Sequence, residues 1–252
     1  MNFTEAWQLY RTDKQIQGYL KLYLGKVTEV LKASSLCHRI RFIKSLFKWA
    51  QEEDYRKINP AIKIKEPKMD TRIPKFLTEE EMELLREACH SSFEKALFEF
   101  MYSTGCRIGE VVRLNKYKYK NDINFKEQSV IVFGKGNKER EVYFNTRCSI
   151  WLRRYLDERS DMDKSLFITE RSPHRMSIAQ MRYVIKRISK RAGINKSIHP
   201  HQLRHSYATT LLNNGAPLEV IQNLMGHEKS ETTRVYAYLS DHLRRGLYKK
   251  YF

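Results

Sequence analysis

The sequence predicts a mainly α protein in two parts: a short all-α N-terminal domain, and a mostly α second domain holding a small antiparallel β-sheet. Three observations carry this. Apolar residues recur at helical spacing along most of the 252 residues. Strand composition is confined to 129–133 and 140–144. One stretch, 60–75, interrupts the periodicity with Pro60, Pro67, Pro74 and several lysines. It is the expected linker between a domain over 1–59 and a second over 76–252 that includes a C-terminal tail.

In the first domain Ile40, Ile43, Leu46, Phe47 and Ala50 mark one helical face, and helix is expected to about Ile58, where Asn59-Pro60 stops it. In the second, Thr78 followed three residues later by Glu81 forms a capping-box signal for a helix over 79–89. A helix over 93–103 is broken by Gly105, and another starts near Arg107. The two strands flank Gly134-Lys135-Gly136-Asn137-Lys138, a hairpin turn. Helices follow over 147–159, 177–191, 201–213, 217–225 and 231–239, then an amphipathic tail over 241–250.

Lys plus Arg number 47 against 29 Asp plus Glu, a net charge of +18. So large a surplus repels itself in a compact fold and points to a polyanionic partner. The basic residues are interleaved with aromatics, as in Arg39-x-Arg41-Phe42-x-Lys44-x-x-Phe47-Lys48-Trp49, which favours nucleic acid over an anionic membrane. No apolar run is long enough to span a bilayer. The first residues carry no signal-peptide pattern, and Cys37, Cys89, Cys106 and Cys148 are scattered singly, so a reducing cytoplasm is expected, with association to the nucleoid when DNA is bound.

Four local patterns could carry chemistry. Thr104-Gly105-Cys106-Arg107-Ile108-Gly109-Glu110 puts an Arg at a helix start, where free N–H groups and the dipole suit a phosphate; the ordinary reading is a surface Arg paired with Glu110. Gly134-Lys135-Gly136 puts a Lys at a hairpin tip and lacks P-loop spacing. His199-Pro200-His201-Gln202-Leu203-Arg204-His205 sets an acid/base candidate beside an anion clamp. His201 and His205 at i, i+4 also raise zinc, but Gln202 and Leu203 stand where a zincin needs Glu, so no metal is expected. Last, Leu224-Met225-Gly226-His227 is followed by Tyr236.

Taken together, in order, these patterns resemble the tyrosine site-specific recombinases, the phage-integrase family. That family has an Arg in a T-G-x-R-x-x-E segment, a Lys on a β-hairpin, a His-x-x-Arg pair, a Gly-His, and a Tyr nine residues on, as here (236 − 227 = 9). The resemblance covers the linker and second domain well and residues 39–67 moderately. It implies that Tyr236 is the nucleophile, attacking a DNA phosphate to form a 3′-phosphotyrosyl bond and release a 5′-hydroxyl. Arg107 and Arg204 would clamp the non-bridging oxygens, His201 would act as general acid/base, His227 would hold the same phosphate, Lys135 would protonate the leaving oxygen, and Glu110 would orient its neighbours. No cofactor is implied. The implied partners are double-stranded DNA, gripped also by Arg39, Arg41, Lys44, Lys48, Lys63 and Lys65, and three further copies of the chain in a tetramer on two DNA sites. Accessory DNA-bending proteins or a second recombinase could join them. The first domain is expected to be one helix short of the family's usual form.

Two other readings stay open at this level. Residues 201–226 pair two short helices across Asn213-Asn214-Gly215 and resemble a helix-turn-helix, so a non-catalytic DNA binder would explain the charge. A type IB topoisomerase uses similar Tyr, Arg and Lys chemistry on one duplex.

Overall fold

The computed structural model describes residues 3–68, 76–116, 123–196 and 198–226. The chain divides into two compact units, Met1–Arg72 and Ile73–Phe252. Among the described residues no helix is long and apolar enough to cross a membrane.

The first unit is built on two helices, α1 (Phe3–Val30) and α2 (Ala33–Glu52). The continuous helical stretch expected from the sequence breaks at Leu31-Lys32, where the N-cap Lys32 takes an extended conformation with no side-chain cap. α2 also stops earlier than Asn59-Pro60. Beyond it the chain turns so that Arg56 hydrogen-bonds the buried carboxylate of Asp13 on α1, and Trp49 meets Tyr55 at 5.4 Å. Leu36, Cys37 and Ile40 are the buried face of α2.

Residues 60–68 do not run free. Ala61 is fully buried, with its N–H held by the Asn59 side chain. Arg41 on α2 pairs with Glu66 at 2.9 Å, and Cys37 donates to the Pro67 carbonyl. The start of the expected linker is thus tied back to α2.

The second unit is organised around α4 (Ser92–Thr104), whose Phe93, Ala96, Leu97, Phe98, Phe100 and Met101 are all buried. Its neighbours are α6 (Thr146–Asp157), α7 (Ile178–Arg191) and α8 (Pro200–Asn213). Phe93, Phe100, Tyr155 and Phe167 form a ring cluster at the centre, Tyr155 stacking on Phe167 at 5.7 Å. α3 (Glu79–Glu87) opens the unit with the reciprocal Thr78–Glu81 cap that its sequence encodes.

The sheet has three antiparallel strands in the order β1 (Ile123–Asn124), β2 (Ser129–Phe133) and β3 (Glu139–Tyr143). β1 is too short to show an alternating pattern, so the sequence indicated only the other two. Val130 lies opposite Val142 and Val132 opposite Arg140. Val130, Val132 and Val142 face the core, so strand alternation also turns Arg140 inward. The hairpin tip is a short 3₁₀ turn over Lys135–Asn137, with Gly136 at φ 72° and the Gly134 N–H donating to the Lys138 carbonyl.

α5 (Ile108–Arg113) and α9 (Leu218–Met225) complete the unit. α8 and α9 share a second apolar cluster of Tyr207, Ala208, Ile221 and Met225. The helix expected over 231–239 and the amphipathic tail over 241–250 lie outside the described residues.

Candidate active site

The site forms where three elements meet the C-terminal end of α9. A helix end leaves carbonyls without intrahelical partners, and those carbonyls carry the negative pole of the dipole. Here three consecutive ones are taken by arginines from three different elements. Arg140 on β3 donates Nε–H to the Leu224 carbonyl (3.1 Å). Arg204 on α8 donates Nη2–H to Met225 (2.6 Å), and Arg107, the N-cap of α5, donates Nη2–H to Gly226 (3.0 Å).

Among the described residues Glu110 is the only acid in this group, and its side chain is 2% exposed. It accepts both Nη groups of Arg140 (2.9 and 2.7 Å), Nη1 of Arg107 (3.0 Å) and the backbone N–H of Arg107 (2.8 Å). Burial by itself would raise its pKa. The hydrogen bonds and charge of Arg140, with those from Arg107, outweigh burial and hold the carboxyl below its ordinary value. Glu110 is therefore a fixed carboxylate that orients Arg107 and Arg140.

Arg204 is different. It is 5% exposed and, among the described residues, hydrogen-bonds only carbonyl oxygens, those of Gly105 (2.6 Å) and Met225. Burial first, then the nearby charge of Arg107, lowers its pKa to about 10. A guanidinium keeps its proton at neutral pH even so, and the charge of Glu110 offsets the shift only in part. Among the described residues, three arginines against one glutamate leave two positive charges without an acidic partner in a largely buried setting.

Two glycines make room for this packing. Gly105, at φ 59°, lies under the Tyr207 ring, and a Cβ there would come within 2.3 Å of its Cδ1. Gly226, the left-handed C-cap of α9, lies against the Arg140 guanidinium, where a Cβ would be 3.0 Å from Nη1.

His201 sits in the first turn of α8, on the wall of a cavity of about 670 Å³ that Arg182, His199, Gln202 and His205 also line. Its outer side is open. Partial burial, then the charges of Arg204, Arg182 and Arg107, lower its pKa, so it is neutral at pH 7 and able to accept a proton. His205, which the sequence reading paired with it only for zinc, is lowered in turn by burial and by His201. Among the described residues no group of three His, Cys, Asp or Glu is placed to hold a metal ion.

The structure thus brings together Arg107, Glu110, Arg204 and His201. Lys135 has its backbone at the hairpin tip; its side chain, together with all of His227 and Tyr236, lies outside the described residues. Among the basic residues assigned to DNA grip, Arg41, Lys44 and Lys48 recur at i, i+3, i+7 on one face of α2, and Lys63 and Lys65 are exposed. Arg39 lies on another side of α2 and donates to the Tyr23 hydroxyl of α1 (2.7 Å). Sequence reasoning gave no role to Arg140, although its inward position in an alternating strand was a readable signal. The carbonyls of Gly105, Leu224, Met225 and Gly226 carried no signal, because every residue has one.

The model of the phage integrase family matches residues 75–242. Tyrosine recombinase XerC of Staphylococcus aureus (strain bovine RF122 / ET3-1) is 34% identical over 247 residues, covering 95% of this chain and 80% of the relative. Among solved structures, XerH site-specific recombinase bound to a palindromic difH substrate superposes with a TM-score of 0.74 at 22% identity, covering 92% of this chain and 71% of that one. A lambda integrase tetramer bound to a Holliday junction has a TM-score of 0.67 at 18% identity, covering 85% of this chain and 64% of that one. The uncompensated arginine cluster, the family match and the XerC relative agree: the chain belongs to the phage integrase family and is a tyrosine recombinase, an enzyme of site-specific DNA recombination.

Proposed function

We propose that Arg107, Arg204 and His201 form the phosphate-binding half of the recombination site, and that Lys135, His227 and Tyr236 complete it. The observation that carries this reading is the pair of positive charges at the end of α9, one residue before His227, that no acid among the described residues offsets. A scissile phosphate entering there supplies the missing negative charge. Arg107 and Arg204 each use only two of their five N–H groups on described protein acceptors, so donors remain for its non-bridging oxygens. That charge grows as the pentacoordinate transition state forms, which is where guanidinium donors fixed in advance give most rate.

The step is balanced without a metal or nucleotide. The Tyr236 oxygen attacks phosphorus and forms the 3′-phosphotyrosyl bond. The bond to the 5′-oxygen breaks, Lys135 gives that oxygen a proton, and His201, neutral at pH 7, accepts the proton that leaves Tyr236. A 5′-hydroxyl from a second DNA end then reverses these transfers and joins the new strands. The basic faces of the first unit, with Arg41, Lys44, Lys48, Lys63 and Lys65, grip the duplex flanks. Arg41 must exchange its exposed pairing with Glu66 for a phosphate, which costs little at a solvated site. Assembly as a tetramer on two DNA sites is the reading that the lambda integrase tetramer supports.

The test is covalent trapping. Wild-type and Tyr236→Phe protein are incubated, with EDTA present, with nicked duplexes tiled across the DNA flanking the gene, and denaturing gels report protein that stays attached. An adduct with wild type and none with Tyr236→Phe is the expected result. An adduct that survives Tyr236→Phe removes Tyr236 as nucleophile. Duplexes that are shifted in native gels but never trapped favour a pure binding role.

A further inference from the structure

We infer that Arg140 is a positioning residue for strand cleavage: it holds Glu110 and the end of α9 so that Arg107 is presented to the phosphate. This rests on the phosphate-clamp reading above. Arg140 stands at an inward strand position, opposite Val132 and in line with Val142, where a buried sheet face calls for an apolar side chain. All three of its donor nitrogens are turned to protein acceptors: Nη1 and Nη2 to the two oxygens of Glu110, Nε to the Leu224 carbonyl. One planar fork therefore ties together β3, α5 and α9. Those are the strand that follows Lys135, the helix capped by Arg107, and the helix that leads into His227.

Geometry separates its role from that of Arg107 and Arg204. Arg140 is spent on a two-pronged grip of a carboxylate, whereas Arg204 hydrogen-bonds no carboxylate among the described residues and Arg107 shares one oxygen of Glu110 through its side chain. The glycines of two motifs stand against it: a Cβ on Gly134 would lie 3.3 Å from its Nη1, and one on Gly226 would lie 3.0 Å away. Without Arg140, Arg107 is the one arginine among the described residues still hydrogen-bonded to Glu110, and the carboxylate draws that guanidinium into a closed ion pair, away from the phosphate. A lysine cannot substitute, because a single ammonium cannot grip both oxygens of Glu110 and reach Leu224 at once.

The test uses the full chain in three arms. On a nicked duplex that wild type traps, Arg140→Met and Arg140→Lys are expected to slow cleavage at saturating protein by roughly tenfold to a hundredfold, with duplex affinity unchanged within about twofold in native gels. The rate of Arg140→Met also gains a second limb that rises with pH, separate from that of His201, because Glu110 then lacks the stronger of the two partners that oppose its burial and must ionise; wild type lacks this second limb. Hydrogen exchange on the free protein, which needs no DNA, is expected to quicken at Gly134–Lys138 and Leu224–Gly226 and to stay unchanged in α4. Wild-type cleavage with an unchanged pH profile overturns the inference, as does full rescue by lysine. So does hydrogen exchange that is unaltered, or that is faster throughout including α4, and this arm decides alone if no tiled duplex is trapped. Arg204→Met runs alongside. If that variant cleaves as wild type does, the clamp reading itself fails; if it is slowed while Arg140→Met behaves as wild type, only the positioning role falls.

Discussion

Two buried glutamates of the second unit, Glu94 and Glu110, each gather arginines, and they do so to different ends. Glu94, on α4, accepts Nε and Nη2 of Arg187 (3.1 and 2.7 Å), a hydrogen bond from Arg191, and the backbone N–H of His90 (2.9 Å). Arg187 also faces Glu170 at 3.8 Å, so two acids meet two bases and the cluster closes on itself. Glu110 meets two arginines as well, but Arg204 stands beside them with carbonyls alone among the described residues. The first cluster fastens α7 to α4. The second is left electrostatically incomplete, and an incomplete buried cluster is a site for a ligand that completes it. Both carboxyls sit below their ordinary pKa despite burial, which opposes the shift in each, so the pKa direction does not separate structure from function; the count of charges does.

The sharpest way to break this comparison is Arg204→Met. The methionine keeps much of the side-chain length, removes a poorly compensated buried charge, and leaves two carbonyls to find other donors. The stability change is expected to stay within about 1 kcal/mol, since losing a desolvated ion offsets the lost hydrogen bonds. Cleavage of a trapped duplex is expected to fall roughly a hundredfold to a thousandfold, the loss typical of a fixed donor to a transition-state oxyanion. Glu94→Ala is the mirror experiment. It strands Arg187 and Arg191, which are partly exposed and can turn to water, so thermal unfolding should report a loss of about 2 kcal/mol, while cleavage well below the melting temperature should stay within about threefold of wild type. Equal melting losses in the two variants, or normal cleavage by Arg204→Met, would erase the distinction between the clusters.

How much of this was legible follows from what a side chain can announce by itself. The Thr78–Glu81 box, Gly105 at the end of α4 and the strands around Gly134–Lys138 are local signals, and the elements formed where those signals stood. Arg107, Arg204 and His201 stood out as candidates because their order along the chain is distinctive, and the structure brings them together. Arg140 was readable only by asking why a charge occupies an inward strand position, a question that needs the strand register first. The grip on α9 could not be read at all, because its acceptors are main-chain carbonyls whose meeting with three arginines depends on tertiary packing. The same holds for the break at Lys32, which has no cap residue to mark it.

The smallest expected effect sharpens the comparison from the edge of the site. Arg182 lines the cavity beside His201, and its charge is among those that push the His201 pKa down, after burial and Arg204. A histidine with a lowered pKa is neutral through the physiological range, so a reaction that needs it as a base gains rate as pH rises through that pKa and then levels off. Replacing Arg182 by Gln removes one like charge while leaving Arg204 and Arg107 in place. The His201 pKa then moves up toward its ordinary value, and the acid limb of the cleavage rate moves to higher pH in the same sense. The plateau rate should change little, because Arg182 donates to no carbonyl or carboxylate of the Glu110 cluster. A His201→Ala background removes the shift altogether if His201 is the titrating group. An acid limb that stays in place in Arg182→Gln, or one that shifts equally without His201, would assign the titration to another residue and detach His201 from proton transfer.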